Sequence, residues 1–482
     1  MNIKTLSFED RDGDKYVFIN DLGIILSNED NKIEGLFKGE EEYTTESSDY
    51  YKYLKKSIIQ FNSIEYSKKD HLNKECNQLV FKMTDACNMR CKYCIYSEHY
   101  PETKKYSNDK LCFETAKKGI DLFMKRYIET YELGGVRLKP LFTFFGGEPL
   151  IEFKLVKEIV NYIKEFYYEF EYKFGITTNG LILNQEISEF LIENKFFITV
   201  SLDGDERLND RNRVDISNVG TYNRVINNIQ KYFKGYPLLS LAACYDYETD
   251  LKYLAEFVEN NSIIKDGWYP YVQRMTMIND VNTDYYHQFN KASIDKYIGT
   301  ITQFREEYVE NAILNKEQRL IVDTMIGTPL KLMYDRIKLI NYHNNYDIFC
   351  SNCIPGQKLY LTANGGIYVC EKVLETDKFK IGDIVSGIDE TKISDLIGEY
   401  NKDILIKCKE CNISKLCGMC YAQIALENDN MVIPSESITC KSREKYLEQQ
   451  LSDLVYIMKH NPNYFENILK RLDVNQDKIY RR

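Results

Sequence analysis

The feature that most constrains this chain is the placement of its cysteines, 14 in 482 residues. Cys87, Cys91 and Cys94 form a C-x3-C-x2-C group, whereas Cys350, Cys353, Cys370, Cys408, Cys411, Cys417, Cys420 and Cys440 crowd the last third. Cys76, Cys112 and Cys244 stand apart and read as small buried hydrophobes without function. Met1 to Asn20 mixes charged and apolar residues without a signal-peptide core, and no later segment offers the roughly 18 consecutive apolar residues of a membrane span. A cytoplasmic location with no membrane partner is therefore expected. In a reducing cytosol, clustered thiols predict metal binding or redox catalysis rather than disulfides.

With 63 basic and 73 acidic residues the formal charge is −10, and basic residues are scattered among acidic ones. This gives no electrostatic footprint for a nucleic acid, so none is expected as a partner. A hydrophobic share of 44% supplies enough apolar surface to fold, and the length allows about three domains. Near the start, YVFIN and IILS joined through Asp21-Leu22-Gly23 predict a hairpin, followed by a helix around Ser48 to Phe61 and a boundary near residue 75.

Beyond that boundary, β-like runs alternate with segments of helical period. The predicted strands are Leu79 to Thr84, Leu141 to Phe145, Phe174 to Thr178, Phe197 to Leu202, Leu239 to Cys244 and Tyr269 to Arg274. Phe153, Val156, Ile159, Val160, Ile163 and Phe166 mark one helical face between them. Such alternation implies a parallel α/β sheet, doubly wound or curled into a partial barrel, with its site at the carboxyl ends of the strands. The loops at those ends carry Cys87 to Cys94, Gly146-Gly147-Glu148-Pro149, Thr178-Asn179-Gly180 and Ser201-Leu202-Asp203-Gly204.

Three thiolates on one loop can wrap a [4Fe-4S] cube and leave its fourth iron open; the alternative is zinc completed by a fourth ligand such as His99. The motif CNMRCKYC after a first strand, FFGGEP after a second, TTNG after a third and VSLDG after a fourth together resemble the radical SAM superfamily. The resemblance implies a partial (β/α)6 barrel in which the open iron chelates S-adenosyl-L-methionine (SAM), whose one-electron cleavage gives a hydrogen-abstracting 5′-deoxyadenosyl radical. It assigns Cys87, Cys91 and Cys94 to the cluster. Tyr93 is expected beside the adenine, Gly146 and Gly147 at a close backbone approach, Glu148 at the ammonium, Asn179 and Ser201 at the ribose or methionine part, and Arg213 at the carboxylate. The chain departs from the family in having Asn209-Asp210, where relatives often carry His-Asp before the arginine.

The cysteine-rich segment resembles a SPASM domain, which implies two auxiliary [4Fe-4S] clusters, hence three in all. One would be held by Cys350, Cys353, Cys370 and Cys420, the other by Cys408, Cys411, Cys417 and Cys440. Cys417-Gly-Met-Cys420 has two intervening residues where the family usually has three, and structural zinc is again the alternative. Glu371 follows Cys370 where sulfatase maturases carry an aspartate, so a base is expected there, against the reading that it only pairs with Lys372 or Lys358.

The resulting organisation is a small N-terminal α+β domain over 1–75, winged-helix-like and leader-binding or else a dimerisation or capping module. A radical SAM barrel over 76–310, a helical connection over 311–349, a SPASM domain over 350–441 and a helical tail over 442–482 follow. The expected activity is that of a peptide maturase installing an intrapeptide crosslink, a cysteine thioether first, on a ribosomally made precursor with a leader. An electron donor such as flavodoxin or ferredoxin would serve it. An anaerobic sulfatase maturase making formylglycine, and a zinc-stabilised peptide-binding protein without catalysis, are the rival readings.

Overall fold

In the computed structural model the described residues are 4–20, 22–29, 33, 76–100, 104–132, 138–261, 271–274, 284–342, 354–408 and 410–467. The N-terminal strands β1 (Thr5–Glu9), β2 (Lys15–Ile19) and β3 (Ile24–Ser27) form an antiparallel sheet in that order. The expected hairpin is β2–β3, and its turn uses Gly23 at φ +61°, a left-handed backbone that glycine adopts without strain. The expected helix around Ser48 to Phe61 lies outside the described residues.

The six apolar runs become six parallel strands: β4 (Gln78–Lys82), β5 (Leu141–Phe145), β6 (Lys173–Thr178), β7 (Phe197–Ser201), β8 (Leu239–Tyr245) and β9 (Tyr271–Arg274). They pair in sequence order, with Leu79 opposite Phe142 and Val200 opposite Leu241 fixing the register. Helices α1 (Phe113–Glu132), α2 (Phe153–Phe166), α3 (Gln185–Glu193), α4 (Glu206–Asn212), α5 (Tyr222–Tyr232) and α6 (Leu251–Asn260) alternate with them. On α2, Val156, Ile159, Val160 and Ile163 are buried as their spacing predicts, but Phe166 at the last turn is 57% exposed. The core between strands and helices is aromatic. Phe81 stacks on Phe144 with ring centroids 5.4 Å apart and Phe174 on Phe196 at 5.2 Å, pairs worth about 0.5–1.5 kcal/mol each beyond their buried area.

The cysteine-rich segment first extends this sheet. β10 (Lys358–Leu361) lies parallel to the free edge of β4, and β11 (Gly366–Tyr368), β12 (Lys380–Asp383) and β13 (Gly387–Ile388) continue outward antiparallel. A Cβ at Gly119 would sit 2.4 Å from Leu361 Cδ2, so the absent side chain is what lets α1 cover β10. A short hairpin, β14 (Ala425–Glu427) with β15 (Asn430–Val432), follows.

Four more helices are α7 (Lys291–Ile313), α8 (Thr328–Tyr342), α9 (Glu390–Asp403) and α10 (Glu436–His460). Two of them cross the boundaries drawn from sequence, α7 at 310/311 and α10 at 441/442. α10 is a clasp: its buried Asp453 pairs with Arg11 and Arg305, and Lys459 reaches Asp12 at 2.6 Å and Asp14 at 2.5 Å. Asn20, fully buried, donates to Ser414 Oγ and accepts from Lys415 N, each at 2.9 Å, which docks the N-terminal sheet on the loop between Cys411 and Cys417.

Candidate active site

The cysteine loop leaves β4 and is held from both sides by backbone hydrogen bonds. Gly147 N donates to Thr84 O at 2.8 Å and Glu148 N to Ala86 O at 2.9 Å, while Arg90 N donates to Val214 O at 2.8 Å and Lys92 N to Asn212 O at 3.0 Å. The loop is thus stitched to the GGEP segment on one side and to the segment carrying Arg213 on the other. Gly146 stands at φ +138°, and a Cβ on Gly146 or Gly147 would meet Thr84 O at 2.5 Å or Ala86 O at 2.3 Å. Both glycines border the site, but the close approach they permit is that of the chain to its own cysteine loop.

One cavity of about 330 Å³ gathers the residues expected at the site. Cys87, Cys91 and Cys94 line it together with Tyr93, Gly146, Gly147, Glu148, Asn179, Ser201, Arg213 and, from the cysteine-rich segment, Glu371. Apart from Arg213, which follows α4, and Glu371, the residues come from the carboxyl ends of the barrel strands, as expected for an α/β site. His99 is not among them: its Nδ1 lies 2.5 Å from Asp284 Oδ1 and its ring packs edge-on to Tyr285. The fourth ligand of the zinc alternative is therefore turned elsewhere.

Glu148 is 1% exposed and accepts from Thr178 Oγ1 (2.8 Å) and Leu150 N (3.1 Å) on Oε1 and from Asn179 N (2.7 Å) on Oε2. Burial raises its pKa to about 6 despite those three donors. A carboxylate offers about four acceptor positions, so one on Oε2 is left for a cation in the cavity. Asn179 is tied back to the cysteine loop through Nδ2, which donates to Asn88 Oδ1 at 2.7 Å.

Opposite, Arg213 Nη1 donates to the Tyr93 hydroxyl at 2.6 Å, and that hydroxyl donates to Asp203 Oδ2 at 2.7 Å. Asp203 is 2% exposed and its other oxygen accepts from Cys244 N at 2.9 Å. Burial opposes the charge on Arg213, but Tyr93, Cys91 and Asp203 hold it firmly protonated. A fixed cation beside Asp203 suits an anionic group of a ligand. Asn209 replaces the family's histidine without loosening the turn, since its Oδ1 accepts from Asp203 N and its Nδ2 donates to Thr221 Oγ1.

Burial pushes the Cys87 thiol up to about 11 and the Cys91 thiol to about 12. These two sulfurs share one cavity wall with Cys94, and such a set fits a group that brings positive charge with it, as iron in a [4Fe-4S] cluster does. Cys408, Cys411, Cys417 and Cys440 also lie near one another, the first three half-buried and Cys440 exposed, a set that fits a second cluster. Burial first, then the neighbouring thiols of Cys411, Cys417 and Cys440, raises Cys408 to about 11. Of the other auxiliary set, Cys370 and Cys420 are half-buried, and Cys350 and Cys353 lie outside the described residues.

Glu371 pairs with Lys358 Nζ at 3.2 Å and accepts from Cys370 Sγ at 3.3 Å. Burial works against its charge, but the Lys358 ammonium carries its pKa below the usual carboxylate range. Behind it, Lys104 Nζ donates to Glu371 O at 2.9 Å, and Lys82 bridges Asp85 (2.8 Å) and Glu375 (2.9 Å). These buried charges join the cysteine loop to the loop of Cys370.

Sequence reading missed Asp203, Cys244, Tyr96 and Tyr106. Cys244, Tyr96 and Tyr106 line the cavity, and Asp203 braces Tyr93 behind its wall. For Asp203 and Cys244 a signal was present, because both stand at carboxyl ends of barrel strands; Tyr96 and Tyr106 had none.

Residues 81–258 match the Radical SAM superfamily. The chain carries a radical SAM domain, and the resemblance carried by its four loops is borne out. Over 405 residues it is 23% identical to the cysteine-type anaerobic sulfatase-maturating enzyme of Clostridium novyi (strain NT), spanning 80% of this chain and 98% of that protein. Over 245 residues it is 23% identical to the radical SAM cyclopropyl synthase TigE of Paramaledivibacter caminithermalis, covering 49% of this chain and 47% of that one. Its fold is similar to a solved structure of anSMEcpe with bound AdoMet and the Cp18Cys peptide, with a TM-score of 0.57, 16% identity, and 82% of this chain and 99% of that one covered. Among the described residues no helix is long and apolar enough to cross a membrane.

Proposed function

We propose that this enzyme is a peptide maturase that abstracts a hydrogen from a ribosomally made precursor and forms an intrapeptide crosslink, a cysteine thioether being the leading product. The observation that carries this reading is the position of Glu371. It brings the cysteine-rich segment into the wall of the cavity that also holds Cys87, Cys91, Cys94 and Arg213. A peptide side chain entering there would meet the SAM site on one side and a carboxylate on the other.

When bound, a cluster on Cys87, Cys91 and Cys94 with SAM, and clusters on the auxiliary cysteines, would supply homolytic cleavage of SAM and a sink for one surplus electron. The protein's own part is positional. Arg213 holds an anionic group of SAM, Glu148 offers its remaining acceptor to a cationic one, and Tyr93 fixes Arg213 against Asp203. Glu371 accepts the proton released as the bond forms, and Lys358 keeps it ionised for that task. A crosslink thus removes two hydrogens from the peptide, one as an atom and one as proton plus electron.

Within the described residues β3 pairs on one side only, with β2. An added strand could hold a leader there and raise the local concentration of the core peptide. Deleting residues 1 to 75 is expected to weaken leader-dependent processing while a leaderless peptide is unaffected; equal turnover would oppose leader capture. A small electron carrier, flavodoxin or ferredoxin, completes the proposed cycle.

A second reading, formylglycine formation on a sulfatase, is favoured by the 98% coverage of the Clostridium novyi relative. Product mass separates the two. A crosslinked peptide is lighter by two hydrogens alone, whereas cysteine converted to formylglycine also exchanges sulfur for oxygen.

A further inference from the structure

Cys417 and Cys420 are separated by two residues, yet the auxiliary assignment sends them to different clusters. A chain of hydrogen bonds joins them. Cys420 caps the short turn Tyr421–Gln423: its sulfur accepts from Gln423 N, and its own N donates to Gln423 Oε1 at 3.1 Å. That same Oε1 accepts from Arg443 Nη2 at 2.9 Å, and Arg443 Nη1 reaches Cys417 Sγ at 3.9 Å. Arg443 also acts electrostatically on Cys440. It rises from α10, whose first turns carry Cys440, and is half-buried.

Beside this guanidinium opens a groove of about 220 Å³ walled by Leu416, Gly418, Arg443 and Tyr446, which would bring water to Cys417 were the arginine truncated. Donors and positive charge at cluster sulfurs, and exclusion of solvent, are the levers by which a protein sets a reduction potential.

Resting on the auxiliary-cluster reading, we infer that Arg443 is a positioning residue that raises the potential of the cluster on Cys408, Cys411, Cys417 and Cys440. Through Gln423 it also links that cluster to the one containing Cys420. A one-electron reduction adds one negative charge to the cluster and breaks no bond, and Arg443 stabilises that charge. The surplus electron of turnover is thereby drawn toward the cluster at the base of α10.

The test is an EPR-monitored redox titration of the full-length, anaerobically reconstituted protein and its Arg443→Met and Arg443→Lys variants. Arg443→Met keeps the bulk and removes charge and fork. It is expected to shift the auxiliary cluster about tenfold toward its oxidised form at a fixed poise, equivalent to about 59 mV for a one-electron couple. Arg443→Lys is expected to recover part of that shift. SAM cleavage without peptide and the content of about twelve iron per chain stay unchanged in both variants. An unshifted auxiliary midpoint in iron-replete Arg443→Met overturns the inference. If that variant loses iron, Arg443→Gln decides instead, since it removes the charge and keeps a neutral donor near Cys417 and Gln423: a lowered midpoint supports the inference and an unshifted one overturns it. About four iron per chain in the unsubstituted protein would overturn the auxiliary reading itself, and the inference with it.

Discussion

Tyr93 places one hydroxyl between a buried cation and a buried anion, donating to Asp203 and accepting from Arg213. Replacing it with phenylalanine leaves the ring and strands both charges without their bridge. The expected cost is about 1–3 kcal/mol in chemical denaturation, with weaker SAM binding by calorimetry; unchanged affinity would show that Arg213 needs no such brace. Gly147 is a sharper case, because a methyl group there would lie 2.3 Å from Ala86 O. Gly147→Ala is expected to displace the cysteine loop and to lower iron retention and SAM cleavage together, measured on the reconstituted protein. The residue types of the site were legible in sequence, since thiols, GGEP, TTNG and SLDG announce themselves by chemistry. What they touch was not. Glu148 read as an open acceptor, yet three of its acceptor positions serve the chain itself, because such partners come from loops distant in sequence.

Between elements, the buried charges of β4 and the segment after β11 hold the barrel to its extension. Glu375 pairs with Lys82 and Lys104 and accepts from the Tyr360 hydroxyl at 3.1 Å. Burial opposes its ionisation, but Lys104 and Lys82 carry it below its ordinary 4.5. A carboxylate held below its unfolded value adds stability that is complete above that value and drains away as pH falls through the lowered one. Glu375→Gln, which leaves the buried Lys104 ammonium without its carboxylate while Lys82 keeps Asp85, is expected to cost about 3 kcal/mol near neutrality, with the gap to the parent protein narrowing below pH 4.5. A gap constant across that range in denaturant titrations would contradict the pairing. The six barrel strands were legible because each is a compact apolar run between helical segments. β10 to β13 were not: they are two to four residues long, interrupted by glycines and set among cysteines, and a local pattern that short carries no period.

At the scale of the whole molecule, the N-terminal sheet meets α10. Asp453 on α10 is 2% exposed and neutralises Arg11 from the N-terminal sheet and Arg305 from α7. Asp453→Asn is expected to cost about 3 kcal/mol and to speed proteolysis within the first 29 residues; unaltered cleavage would mean that Asn20 and Lys459 dock the sheet unaided. Nothing in the sequence revealed this closure, since an aspartate in a charged helix looks solvated until its partners arrive from 148 and 442 positions away. The claim on which all else rests is that Cys87, Cys91 and Cys94 present one open iron to SAM. It is tested by counting 5′-deoxyadenosine released from SAM by the reconstituted, reduced protein and by its variant with all three cysteines changed to alanine. Release by the parent and none by the variant is expected; no release by an iron-replete parent, or equal release by both, would contradict it.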